Sequence, residues 1–144
     1  MADRLKILFL CTGNSCRSQM AEGWARHLKA DELEPYSAGI EAHGQNPNAL
    51  AVMAEAGVDI SAQPSQSLAD LGPVTFDVVV TVCGHAHEHC PVFPGDAKVV
   101  HVGFEDPPRL AAAATGKQAK LDCYRRVRDQ IRAWIETLPQ SLDA

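Results

Sequence analysis

No stretch of this chain approaches the roughly 20 consecutive apolar residues that a bilayer-spanning helix needs, so membrane partners are not expected. Nor is there a cluster of basic residues, and the formal charge is −5; nucleic acid and anionic membrane surfaces are therefore excluded as partners by the sign of the field. Any anion site must be a local positive pocket. No repeat, linker or low-complexity tract occurs beyond Ala111 to Ala114, so a single domain over 1–144, most simply a monomer, is expected. Asp3, Arg4 and Lys6 precede only a short apolar run, which is not the pattern of a secretory signal, and a cytoplasmic location is expected. Five cysteines, an odd number, in such a chain read as reduced thiols for catalysis or metal rather than as a disulfide framework.

What is present, 46% apolar and 22% charged residues, is a globular composition in which strand-like and helical segments alternate. That alternation predicts an α/β fold, a three-layer sandwich with a four-stranded parallel sheet and helices on both faces. The apolar run Leu5 to Leu10 is the first strand, and Met20, Ala21, Trp24, Ala25 and Leu28 at helical spacing predict a helix from Arg17 to Lys29. A short strand follows near Tyr36. Asn46 then Pro47 reads as a helix start, and Gly57 as the left-handed residue after its end. Phe76 to Val82 has the uniform apolar character of a central parallel strand. A last strand near Lys98 to Val102 leads into a loop with Asp106-Pro107, and Leu121, Tyr124, Val127, Ile131, Trp134, Ile135 and Leu138 line one face of a final helix. Arg125, Arg126 and Arg128 on its other side read as a solvated face.

The chemistry concentrates between the first strand and the first helix, in Cys11-Thr12-Gly13-Asn14-Ser15-Cys16-Arg17-Ser18. A thiol and a guanidinium stand at the two ends of that loop. If it wraps with its amides inward, the N–H groups of Thr12, Gly13, Asn14, Ser15 and Cys16, the start of the helix and Arg17 surround one tetrahedral oxyanion. The same field favours the Cys11 thiolate, the nucleophilic form, so a lowered pKa is expected. Gly13 permits a tight turn. Ser18 is suited to donate a hydroxyl hydrogen bond to the thiolate, and Asn14 to hold the loop's curvature. Ligands of open α/β sheets gather at the carboxyl ends of the strands; Cys11, Cys83 and Asp106 each follow a strand and are expected to meet there. Asp106 is the candidate general acid, and Pro107 stiffens its loop.

The segment Cys83-Gly-His-Ala-His-Glu-His-Cys90 admits two readings. Cys83, His85, His87, His89 and Cys90 carry zinc-type donors, although structural zinc sites pair cysteines at closer spacing. The alternative is a redox relay in which Cys83 attacks an adduct on Cys11 and Cys90 resolves the disulfide, with no metal and no organic cofactor. Cys16 and Cys123 read as packing residues or bystanders.

Together these motifs resemble the thioredoxin-coupled arsenate reductases, a family that shares the low-molecular-weight protein tyrosine phosphatase fold. The likeness covers nearly the whole chain: Phe9 to Trp24, Tyr36 to Gly44, the Cys83 and Cys90 pair, Gly103 to Pro107 and Arg126 to Asp129. The resemblance implies arsenate as substrate, thioredoxin or a similar dithiol as reductant, Cys11 as nucleophile and Arg17 with the loop amides as oxyanion binders. It also implies Ser18 as thiolate stabiliser, Asp106 as general acid, and Cys83 and Cys90 as the relay. The phosphatases of this fold resemble one another in a Pro after the loop's Ser and in aromatics after Asp-Pro; Gln19 and Pro108-Arg109 stand in those places, which favours a small inorganic oxyanion. Some members have a potassium site, of which Asn14, Glu22 and Ser37 match three positions. Gln66 stands where an acidic residue is usual, and its neutral amide disfavours the cation.

Overall fold

The computed structural model describes residues 4–72, 74–83 and 97–143. Its strands are β1 (Leu5–Cys11), β2 (Leu33–Gly39), β3 (Val78–Thr81) and β4 (Lys98–His101), all parallel, in the order β2-β1-β3-β4. The architecture is the α/β sandwich that the sequence predicts. Ile7, Leu8, Phe9 and Leu10 of β1 are fully buried and all four residues of β3 are buried; strands covered on both faces favour apolar side chains at nearly every position rather than at alternate ones. Pro35 is tolerated in β2 because that strand lies at the sheet edge, where a missing N–H disrupts no inner ladder. β4 is the other edge, and Val99 there is exposed.

The helices are α1 (Arg17–Leu28), α2 (Pro47–Glu55), α3 (Pro107–Ala112) and α4 (Lys117–Ile135). Asn46 caps α2 as its sequence predicts, its side-chain oxygen accepting from the amides of Asn48 (2.9 Å) and Ala49 (3.3 Å), and Gly57 after the helix has φ +87°. In α4 the buried stripe is Tyr124, Val127, Ile131 and Ile135. Trp24 of α1 docks on this helix, donating its indole N–H to the Arg128 carbonyl at 3.2 Å while the Arg132 guanidinium lies 5.0 Å from its ring centroid. Two elements depart from the sequence reading. The third strand is shorter than Phe76 to Val82, and Asp106 is not in mid-loop but directly precedes the short helix α3, which the Pro107-Pro108 pair starts.

The three arginines read as a solvated face are all engaged. Arg125 and Arg128 both grip Glu55 of α2 (2.8 and 2.9 Å), and Arg126 grips Glu105 before α3 (2.8 Å). Sequence spacing could not reveal this, because both carboxylates come from other elements.

From β1 the chain crosses to β2 on one side and later to β3 on the other, so the connection reverses direction at β1. A crevice opens at such a switch point, outside the carboxyl ends of the diverging strands. Cys11 ends β1 and Cys83 follows β3 by two residues.

The Glu55 clamp makes a pH-dependent contribution. Hydrogen bonds from Arg125 and then Arg128 lower the Glu55 carboxyl from the ordinary 4.5 to about 2. A depressed carboxyl stabilises the fold above its unfolded pKa and ceases to do so as pH falls through its folded one. Wild type is therefore expected to melt above Glu55→Gln at neutral pH, with the gap in melting temperature closing between pH 4.5 and pH 2; a gap independent of pH would show that the charge is not responsible.

Candidate active site

The carbonyls of the loop between β1 and α1 are all taken up on its outer side. Those of Cys11, Thr12, Gly13 and Ser15 accept from the amides of Ile40 (3.1 Å), Glu41, His43 and Asn46 (2.9 Å each). The Asn14 carbonyl accepts from Gln19 Nε2 at 3.1 Å, and that of Cys16 from the Met20 amide within α1 at 2.9 Å. Because N–H and C=O point oppositely across a trans peptide, tying the carbonyls outward turns the following amides into the bowl. The Thr12 amide there bonds the Cys11 sulfur. α1 starts from Cys16 with no capping side chain and no acidic residue in its first turn, which leaves its N-terminal amides to an anion.

The left-handed residue of this loop is Asn14, at φ +48°, not Gly13. Asn visits that region more readily than most residues. Its side chain is fully engaged, Nδ2 donating to Ser18 Oγ at 2.9 Å and Oδ1 accepting from the Gln66 amide at 2.8 Å. Gly13 is small for another reason: a Cβ there would lie 2.2 Å from His43 Nδ1. Gly39 is equally constrained, since its Cβ would meet Glu41 O at 2.2 Å and Thr12 O at 2.7 Å. The strap from Gly39 to Asn46 therefore seats directly on the loop. The sequence reading missed its role; the one available signal was its match to the family stretch from Tyr36 to Gly44.

Cys11 and Cys83 are brought to the same place. Both are free of disulfide and buried, and Cys83 Sγ lies 3.3 Å from Thr12 Oγ1, on the residue that follows Cys11. This proximity reverses one expectation. The neighbouring Cys83 thiol, then burial, push the Cys11 thiol well above its ordinary range, against the pull of the Arg17 guanidinium and the Thr12 amide. Two neighbouring thiols lose their protons as a pair, so one sulfur keeps a proton that the other's charge holds. Cys16 is pushed up to about 12 by burial, which fits the packing role read for it. Cys123, half-buried on α4, donates to the Ala119 carbonyl at 3.4 Å. Cys90, His85, His87 and His89 lie outside the described residues.

Arg17 points back across the bowl, donating from Nη1 to the Phe104 carbonyl at 3.0 Å, with Nη2 3.9 Å from Asp106 Oδ2. Asp106 makes no capping bond to α3, so its carboxyl is not consumed by the helix that follows it. Among the described residues Thr12, Arg17, Cys83, Phe104, Glu105, Asp106, Arg109 and Leu110 line one cleft of about 550 Å³. Phe104 gives that cleft an aromatic wall not foreseen from the residues after Asp-Pro.

The residues matching a potassium site do not fit the ion. Gln19 Nε2 lies 3.3 Å from Asn14 Oδ1, Gln66 Nε2 donates to the Ser37 carbonyl at 3.0 Å, and Ser37 Oγ donates to Glu22 at 2.6 Å. Glu22 is further paired with Arg26 at 2.6 Å. N–H and O–H donors occupy the oxygens that a cation would require.

Comparison with known proteins agrees with this geometry. The chain belongs to the low molecular weight phosphotyrosine protein phosphatase family, whose sequence pattern it matches over residues 6–144. Within that class it is similar to the arsenate reductase of Halalkalibacterium halodurans, 50% identical over 94% of this chain and 95% of the relative. It is likewise similar to the arsenate reductase of Bacillus subtilis strain 168, 52% identical over 87% of this chain and 88% of the relative. A solved arsenate reductase in the phosphate binding state superposes with a TM-score of 0.73 at 34% identity, covering 93% of this chain and 95% of that one. A low molecular weight protein tyrosine phosphatase from T. tengcongensis gives 0.74 at 27% identity, covering 95% and 99%.

If Cys83 is the main influence raising the Cys11 thiol, Cys83→Ala shifts the pH midpoint of Cys11 alkylation by iodoacetamide downward, as followed by peptide mass spectrometry. An unmoved midpoint would refute the assignment.

Proposed function

We propose that the protein is an arsenate reductase working through Cys11, Cys83 and Cys90, with thioredoxin or a similar dithiol as its reductant. The observation that carries the reading is a second buried, free thiol, Cys83, at the loop that Cys11 opens, its Sγ 3.3 Å from Thr12 Oγ1. Phosphate-ester hydrolysis needs the first thiol alone, whereas reducing an oxyanion needs a second one within bonding reach. The arsenate reductase relatives support the same reading.

Arsenate sits among the amides of Thr12, Gly13, Asn14, Ser15 and Cys16, with Arg17 balancing its charge. A bound dianion cannot displace water unless the leaving oxygen is protonated. The Cys11 thiol gives its proton to the bound arsenate and attacks arsenic as the thiolate, Asp106 delivers a proton to the leaving oxygen, and water leaves as the sulfur–arsenic bond forms. Ser18 steadies the thiolate through its hydroxyl hydrogen, its oxygen being taken by Asn14. The Cys83 thiolate then attacks the Cys11 sulfur; the sulfur–arsenic pair passes to arsenic, arsenite departs and a Cys11–Cys83 disulfide remains. Attack of Cys90 on Cys83 frees Cys11 and leaves a Cys83–Cys90 disulfide for the external dithiol to reduce. No resident metal or organic cofactor takes part, and the monomeric cytoplasmic protein suits a reducing compartment.

Phe104 on the cleft wall and the family's phosphatase members favour, as a second reading, slow hydrolysis of aryl phosphates by the same Cys11, Arg17 and Asp106. Arsenite formation coupled to NADPH, thioredoxin reductase and thioredoxin is expected to exceed aryl-phosphate turnover; the reverse order would make the protein a phosphatase. Cys83→Ser and Cys90→Ser are expected to abolish multiple turnover, and undiminished steady-state reduction in either would sink the relay. Asp106→Asn is expected to lower kcat about 100-fold, the range of a lost general acid.

A further inference from the structure

Asp106 has to be aimed. It precedes a helix of only six residues; its carbonyl accepts from the Leu110 amide at 3.0 Å, but its carboxyl makes no bond to that helix's amides. What holds the segment comes from outside. Phe104 is tied by its carbonyl to Arg17 and by its ring to Trp134 of α4, centroids 6.3 Å apart in an edge arrangement. Glu105 is held more firmly still. Arg126 of α4 engages it with both arms, Nε to Oε2 at 2.8 Å and Nη2 to Oε1 at 3.0 Å, and Gln130, one turn on, donates to Oε2 at 3.0 Å. Both carboxylate oxygens are thus fixed by donors on one rigid helix.

We propose that Arg126 and Gln130 are positioning residues that act through Glu105 to set the placement of Asp106; the proposal rests on Asp106 being the acid of the reaction above. An isolated exposed ion pair is a weak constraint, but a fork of two parallel bonds joined by a third defines a geometry. The clamp has an electrostatic side as well. Glu105 and Asp106 line the same cleft as Arg17, and a free Glu105 carboxylate would compete for that guanidinium and repel the incoming oxyanion. Paired to Arg126, it does neither. The long helix α4, which also carries Tyr124 against Asn46 of the loop strap (3.1 Å), thereby touches both halves of the site.

The test is a mutant cycle on thioredoxin-coupled arsenate reduction. In the Arg126→Ala/Gln130→Ala variant kcat/KM is expected to fall about tenfold, the scale on which small misplacements of a catalytic group are felt, with Arg126→Lys recovering part of the loss. In an Asp106→Asn background the same pair of substitutions is expected to change nothing further, because there is no acid left to aim. An equal fall in both backgrounds would reduce the clamp to a structural tie and overturn the proposal, as would wild-type kcat/KM in the double variant. The two ideas fail separately: Asp106→Asn at full activity refutes the acid, whereas an impaired Asp106→Asn beside an unimpaired double variant refutes the clamp alone.

Discussion

The carbonyls from Cys11 to Cys16 are all tied down, and almost every other property of the site follows from that constraint. A peptide plane cannot point both its dipole ends the same way, so a loop whose oxygens are bonded outside must offer its hydrogens inside. The partners are mainly the amides of Ile40, Glu41, His43 and Asn46, supplied by the segment that leaves β2. That segment can lie against the loop because β2 pairs with β1 in a register that sets Gly39 beside Cys11, because Gly39 has no side chain to hold the two backbones apart, and because Gly13 leaves room for the His43 ring. Sheet register, two missing Cβ atoms and a strap together turn the loop's amides to one side before any charged side chain is considered.

The strand order adds the second thiol. With β1 and β3 adjacent, their carboxyl ends open on one crevice, and residues 72 positions apart in sequence, Cys11 and Cys83, come together, Cys83 touching the side chain of Thr12 next to Cys11. This neighbour changes the electrostatics of Cys11. Arg17 and the Thr12 amide pull the Cys11 thiol toward its charged form, while Cys83 and burial hold the proton on.

Much of the fold was legible because its signals are local. The uniform apolar runs of β1 and β3, the Asn46-Pro47 start of α2 and the helical stripe from Tyr124 to Ile135 each report a burial pattern that a few consecutive residues carry. The chemical groups of the loop between β1 and α1 were legible for the same reason: thiol, amides and guanidinium lie within a few residues of one another. Less readable were the features made by distant partners. The arginines of α4 looked solvated since their carboxylates, Glu55 and Glu105, belong to other elements. Gly13 looked like a turn residue because the His43 ring that crowds it comes from the strap, and the left-handed position fell instead on Asn14.

The sequence by itself determined the order of strands and helices and the chemical groups of the anion loop, because hydrophobic periodicity and loop composition act over a few residues. Only the tertiary structure decided which way the loop's peptides face, which thiol stands near Cys11, and what holds the segment bearing Asp106. Those are settled by hydrogen bonds and charges between elements far apart in the chain, and such interactions act over a few ångströms of space with no regard to separation in sequence.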